Sequence, residues 1–572
     1  MYRAAVCLLL LVCFQFPTPA AAGEAELRRV QAHLLIGDQQ SAIQEARKAV
    51  QTCSDDPLAY EWLIKSLAAA GEDVEMLEVW EKMHAQFKKK AHDQDLLEEM
   101  CWGVLSKGLQ APGLSSQLIC LIGAALGHDM KAVPFLLNGL RHSNAHLREV
   151  AVELACHYGD QPLRDEICRM LREESILDVR LIVIKAIGKL QIEEHLPDLI
   201  ECVANPKTGP REKLAAIEAI ILMREKLRKE ELEFLASSKR AGLRELACEV
   251  IAHLELIEEV SLLVPLMQDP QPEVCAASIR AWGLLRQPAT EGIQMLAQFS
   301  LDSGVGVTAA WCWMLSDPTA GQTAMLKWLQ HDQAQVRALA AAAVATAGPY
   351  GTQLAKRVIV ESKDPYVRAN LAIGLAGQRE MCTTVCSVLE ECLQNNHEKW
   401  MFSDKGIFKT LEKSNLTHKP SIANYPEVVN QTVRLELLNL LAILESPHAL
   451  DAIKVFLKER KWGVTGLAAE TLLGEGDESA IELVRELLSD PDKEIRIEAA
   501  LVLASWGKDN SALPILLEAY PKSDRQLQLK ILESLGRIGD KKTLPFLLER
   551  LKEPSLLIRM VAACVLLQTL NH

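Results

Sequence analysis

A turn, a short apolar helix and a glycine stop recur along this 572-residue chain at a nearly constant interval. Residues 490–509 show the unit at its clearest. Asp490-Pro491 breaks the preceding helix, Arg496, Ala499, Ala500 and Leu503 return at helical spacing, and Gly507 supplies a left-handed end. Asp364-Pro365-Tyr366-Val367-Arg368 opens the same unit, and so does the stretch around Asp332 and Arg337. With the arginine as phase marker, the series runs Arg148, Arg180, Arg211, Arg244, Arg337, Arg368, Arg434, Arg496 and Arg559. Cys275, Gly306, Thr465 and Gln528 fill the gaps, and Ser116 marks a first member. Neighbours are 31 to 33 residues apart, except that 66 separate Arg368 from Arg434.

A fixed period of this length means that each unit is one pair of helices whose apolar faces are buried only by stacking on the next pair. The Asp/Pro turn, the Val-Arg pair, the Ala-Ala step and the closing glycine resemble the HEAT-repeat superfamily, in the short form of bilin-lyase-type HEAT proteins. The expected fold class is therefore all-α: an α-α superhelix (HEAT/armadillo-type solenoid) of about 14 helix pairs. Such a core grows with length, so the chain needs no single large globule. Ala and Leu supply the packing, since aromatics make up only 5% of the sequence.

Residues 24–90 keep a different rhythm. Gly37-Asp38 and Gly71-Glu72 lie 34 residues apart, and Val30/Ile64, Ala42/Met76, Ala46/Trp80 and Ala49/Met83 match around them. This resembles a pair of tetratricopeptide repeats. Residues 1–22 carry only one charge, Arg3, and the apolar run Ala4 to Phe16 ends in Ala20-Ala21-Ala22. That is the pattern of a secretory signal cleaved before Gly23, with a short uncleaved anchor as the alternative. The expected organisation is a signal peptide (1–22), TPR-like repeats (23–92), a HEAT solenoid (93–394), an inserted loop (395–431) and the solenoid continued (432–572).

Thirteen cysteines follow residue 22, an odd number scattered through helical patterns. They read as small buried apolar residues, a usage commoner in a reducing compartment. A metal at Cys382, Cys386 and Cys392 would need a fourth ligand, His397 being nearest, and CxxC spacing is lacking. There is no Walker loop, HExxH or nucleophile elbow. Iron-binding HEAT hydroxylases repeat a His-Glu dipeptide, of which this chain has one, His397-Glu398. No catalytic residue, cofactor or metal is expected, and at a formal net charge of −14 nucleic acid gets no electrostatic support.

The expected function is binding of protein partners, as a scaffold or adaptor working through the concave face of the solenoid. The alternative is a chaperone-like or bilin-lyase-like accessory subunit that assists maturation of another protein. The chain is also similar to exported HEAT-repeat proteins of chlamydia-like bacteria. The expected location is thus the periplasm or cell envelope, with the cytoplasm as the alternative and no membrane span after signal cleavage. Candidate contacts are Trp311 and Trp313, which at a spacing of two cannot share one core, and Trp400, Phe402, Phe408 and Tyr425 in the insertion. The sequons at Asn415 and Asn430 matter only in a glycosylating pathway. The recurrent arginine is expected to bind the Asp of its own or a neighbouring turn, as a structural ladder. The last helix, from Leu557 to Leu567, is apolar nearly all round, so a partner or a second copy is expected to cover it.

Overall fold

The computed structural model describes residues 19–205, 207–224, 229–394, 435, 437–458, 473, 478–507 and 509–571. Every regular element among them is helical. They form two compact units: residues up to Arg169 together with Gly507–His572, and Met170–Trp506. The 1–18 leader, the 395–431 insertion with its four aromatics and two sequons, Arg434, and the Thr465 repeat marker lie outside the described residues.

The first unit opens with α1 (Pro19–Leu35), α2 (Gln39–Thr52), α3 (Pro57–Ala70) and α4 (Asp73–Gln86). Gly37 and Gly71 take φ of +77° and +70° at equivalent turns. Val30, Ile64, Ala42, Met76, Ala46, Trp80, Ala49 and Met83 are all buried, as the 34-residue register requires. Then come α5 (Lys88–Ala91), α6 (Gln94–Leu109), α7 (Leu114–Leu126), α8 (Ala132–Leu140), α9 (Ala145–Ala155) and α10 (Gln161–Glu173).

The second unit continues with α11 (Leu177–Lys189), α12 (Leu196–Ala204), α13 (Pro210–Arg224), α14 (Lys229–Ala236), α15 (Ala241–His253), α16 (Leu263–Leu266) and α17 (Pro272–Leu284). After these follow α18 (Glu291–Phe299), α19 (Ser303–Ser316), α20 (Pro318–Leu329), α21 (Ala334–Thr346), α22 (Thr352–Glu361), α23 (Pro365–Gly377) and α24 (Cys382–Gln394). Its last described helices are α25 (Ala449–Lys458), α26 (Glu478–Glu486) and α27 (Lys493–Trp506). The second helices, such as α17, α19, α21 and α23, pack on one another in succession and each also packs on its own first helix. This is the α-α superhelix class of fold.

The chain re-enters the first unit as α28 (Leu513–Ala519), α29 (Arg525–Ile538), α30 (Leu544–Arg550) and α31 (Leu556–Asn571). Here the structure corrects one expectation. The apolar last helix needs no partner or second copy to cover it, because α31 lies between α29 on one side and α6 and α7 on the other. It is an interior helix, which is why it is apolar all round. The closeness shows at Gly123, where a Cβ would lie 1.9 Å from the Cys564 sulfur. Asn571 Nδ2 donates to the Gly127 carbonyl at 2.9 Å and Gln94 Nε2 to that of Leu570 at 3.3 Å.

The recurrent arginine is a structural ladder. Arg337 Nη1 donates to the carbonyls of His331 and Asp332, both at 2.8 Å, which closes the turn before its own helix. Its other edge reaches Asp364 of the next repeat at 2.6 and 2.8 Å. Asp364 at the same time accepts from the Tyr366 and Val367 amides and so caps α23. Arg244 repeats the scheme with the Ser238 carbonyl and Asp269. Arg148 and Arg496 make the turn-closing half through Nη1.

The closing position of the unit is left-handed even where the sequence has no glycine. Gly507 and Gly539 take φ of +77° and +67°, but Gln191, Glu255, Arg286 and Arg379 take +50°, +52°, +56° and +52° at the corresponding point. Where a Schellman-type turn closes a second helix, it needs that conformation whatever side chain stands there, whereas α19 ends on extended Asp317.

Candidate protein-binding groove

The two tryptophans that bracket Cys312 part company. Trp311 is 2% exposed and fills the space above Gly283, where a Cβ would come within 2.6 Å of its ring. It belongs to the packing between α17 and α19, so as a contact for a partner it is corrected. The glycine that makes room for it lies in the preceding second helix; Gly306, in its own helix, instead accommodates Trp328. Trp313, two residues on, is half-buried and faces an open cleft.

That cleft has a volume of about 470 Å³ and lies between α18 and α20, beside the end of α19. These two first helices touch at few points, which leaves the space between them. Its walls are Phe299 and Gln298 from α18, Trp313 from α19, and Thr319, Ala320, Thr323 and Ala324 along α20. The small residues of α20 stand in an i, i+4 register and make the floor shallow. Phe299 is 66% exposed, an unusual situation for so large an apolar side chain. Met295, one turn earlier on the same face of α18, is exposed too.

Polar contacts brace the rim. Lys327 Nζ donates to the Gln298 carbonyl at 2.6 Å and lies 4.7 Å from the Trp328 ring centre. Trp328 Nε1 donates to the Ala297 carbonyl at 3.0 Å, which pins α20 to α18. Asp317 accepts from the Ala320 amide at 3.1 Å and caps α20. The scaffold is therefore held by hydrogen bonds, and Phe299 and Trp313 keep aromatic surface open to the cleft. Sequence reasoning missed Phe299. The signal was present: Ile293 and Ala297 form the buried stripe of α18, and Met295 and Phe299 fall two residues out of phase with it.

Perturbed titrating groups gather elsewhere. Burial first, and Glu245 beside it, raise the Glu249 carboxyl to about 7 against the opposing pull of Arg280. Arg280 Nη2 lies 3.4 Å from Glu249 Oε1, between α15 and α17. Neither group lines a cleft with Trp313. Cys120, Cys312 and Cys392 are packing residues: burial pushes their thiols up to about 12, far from a reactive thiolate, while Cys382 is exposed. Among the described residues no three side chains of metal-binding type come together. His397 lies outside the described residues.

Residues 133–221 and 482–566 match the family model of HEAT repeats. Protein YibA of Escherichia coli (strain K12) is 26% identical over 210 residues, 34% of this chain and 74% of the relative. Among solved structures, the chain is similar to the karyopherin Kap121p bound to the SUMO protease Ulp1p, at 12% identity and a TM-score of 0.34 over 96% of this chain and 82% of the other. It is also similar to the UNC-45 chaperone, at 13% identity and a TM-score of 0.33 over 97% and 82%. The period, the arginine ladder and the stacked second helices agree with the matched segments: residues 133–221 and 482–566 carry HEAT repeats.

Proposed function

We propose that the protein is a non-enzymatic scaffold or adaptor that holds a protein partner in the groove between α18 and α20, with Phe299 and Trp313 as anchors. One observation carries this reading: a phenylalanine 66% exposed beside a half-buried tryptophan, on a floor of small residues braced by hydrogen bonds. Large aromatic side chains at the centre of a pocket are where binding energy concentrates. HEAT-repeat proteins as a class work by presenting such surfaces.

The test is a photo-crosslinking amino acid placed at Phe299 in the full chain, with exposed Val360 as the control position. A discrete protein adduct at 299 that is absent at 360 is the expected result. Adducts equal at both positions, or none, refute the groove. Export to the periplasm or envelope is part of the same proposal, supported by the apolar leader and its Ala-x-Ala end. Amino-terminal sequencing of the cellular protein that finds Gly23 first would support it, and an intact leader on a soluble protein would refute it.

A further inference from the structure

In a chain of formal net charge −14, residues 82–92 carry six basic side chains and no acidic one. They occupy the end of α4, the short helix α5 and the residue after it. Lys82, Lys88, Lys89, Lys90 and His92 are exposed, and His84 is half-buried. Among the described residues, none of the four lysine ammonium groups has an ion-pair or hydrogen-bond partner. The acids around the stretch are engaged elsewhere. Lys552 Nζ takes Glu81 at 2.9 Å and Glu549 at 3.0 Å, and Asp93 stands at the positive end of α6.

A packed cluster of rings holds these charges together. Trp80 Nε1 donates to the Ala91 carbonyl at 2.8 Å and ties α5 to α4. The His84 ring stacks on Trp80 at 5.2 Å between centres, and the His92 ring lies 4.9 Å from that of His84. His92 Nδ1 donates to the Lys88 carbonyl at 2.9 Å, so its Nε2 is the nitrogen left for another partner. Burial first, then His92, Lys88 and Lys552, hold the His84 imidazole below its ordinary value of 6.5, against the opposing pull of Glu549. Like charges gathered in this way repel one another, and a carboxylate supplied from outside relieves the repulsion.

We infer that this basic face docks a short run of aspartate and glutamate in a partner protein, with Lys88, His84 and His92 at its centre. The remaining lysines add to the field that draws the segment in. A carboxylate beside the two imidazoles raises their affinity for protons, so docking takes up protons and tightens as pH falls through the histidine range. An acidic protein segment fits better than nucleic acid. Trp80, the large ring at the centre of the face, is 3% exposed and offers no surface for base stacking, and the net charge of −14 repels a long polyanion. The face belongs to the first unit and does not depend on the Phe299–Trp313 groove.

The probe is a fluorescein-labelled Gly/Ser peptide with a central run of Glu, followed by anisotropy as the full chain is titrated in. The controls are the same peptide with Gln in place of Glu, and a labelled single-stranded oligothymidylate. Expected are saturable binding of the Glu peptide only, weakening with added salt, and a loss of about tenfold when Lys88, Lys89 and Lys90 are all changed to Gln. Affinity should rise at least about threefold between roughly pH 7.5 and pH 6, and the double change His84→Gln with His92→Gln should remove that rise. The three lysines are exposed, and an unchanged circular dichroism melt confirms that their variant is folded. The inference is overturned if the Glu peptide does not bind, if the Gln peptide or the oligonucleotide binds equally, or if the lysine variant keeps full affinity. Affinity that stays flat with pH, or a rise that survives the histidine changes, would remove His84 and His92 from the centre of the face and overturn it too.

Discussion

Asp73 and Arg559, 486 residues apart in sequence, form a buried ion pair in which Arg559 Nη2 and Nε donate to Asp73 Oδ2 at 2.8 and 3.1 Å. Their side chains are 4% and 12% exposed. Arg559 also closes its own turn through the Glu553 and Pro554 carbonyls, as Arg148, Arg337 and Arg496 do in theirs. In the repeats of Arg244 and Arg337 the second edge of the arginine reaches the following aspartate, Asp269 and Asp364. For Arg559 the carboxylate that the second edge reaches is Asp73, at the start of α4. The amino-terminal helices thus serve as the next rung for the carboxy-terminal one.

Breaking this pair should be costly because it strands a buried charge. Arg559→Leu or Asp73→Leu is expected to destabilise the first unit by about 3–5 kcal/mol, and the double variant by less than the sum. Hydrogen exchange of the α31 amides alongside denaturant unfolding measures it. Additive effects would show that the two side chains are not coupled.

Gly123→Val drives a side chain into Cys564, whose Cβ lies 2.9 Å from the site of the new atom. Overpacking here should cost about 1–3 kcal/mol and push α31 off α7. The readout is faster labelling of the Cys564 thiol by a thiol-disulfide reagent. Unaltered labelling would show that the helices can separate without strain.

Glycine at the non-glycine left-handed positions should stabilise the fold. Glu255→Gly and Gln191→Gly each relieve a strained backbone, for a gain of about 1 kcal/mol per site less the entropy that glycine adds to the unfolded chain. The midpoint of urea unfolding should rise for each, and a fall in both would mean that the side chains stabilise the turns by contacts.

Glu249 gives the second unit a pH dependence with a definite sign. Its carboxyl holds a proton to about 7 in the folded state against an ordinary value of 4.5. A carboxyl with a raised folded-state value contributes stability that is fully present below 4.5 and is lost as pH rises through 7. The loss is up to about 3 kcal/mol. Glu249→Gln should flatten the stability profile between these limits while the rest of the curve keeps its form. A slope that survives the substitution would assign it to other groups.

Phe299→Ala and Trp313→Ala should abolish partner capture while moving stability little, by about 0.5 kcal/mol for exposed Phe299. Trp311→Ala should do the reverse, costing about 3–5 kcal/mol because it empties the space over Gly283. Equal effects of all three on melting would mean that the groove is part of the core.

The repeating period by itself determined the helix pairs, the stacking of second helices, the arginine as a structural ladder and the 34-residue register of the amino-terminal hairpins. All of these are local: they depend on residues within one unit and its neighbour, and the pattern Asp-Pro, Val-Arg, Ala-Ala repeats them in plain view. Only the tertiary structure decided that α31 is an interior helix, because the partners that cover it, α6 and α7, lie more than four hundred residues earlier and carry no mark that pairs them with it. It also decided which tryptophan is core. Trp311 and Trp313 are chemically alike, and a glycine one repeat away at position 283 makes the cavity that buries the first. Where a unit has a left-handed end, it was visible only if glycine stands there, since the backbone enforces that conformation on Gln191, Glu255, Arg286 and Arg379 without leaving a signature in their side chains.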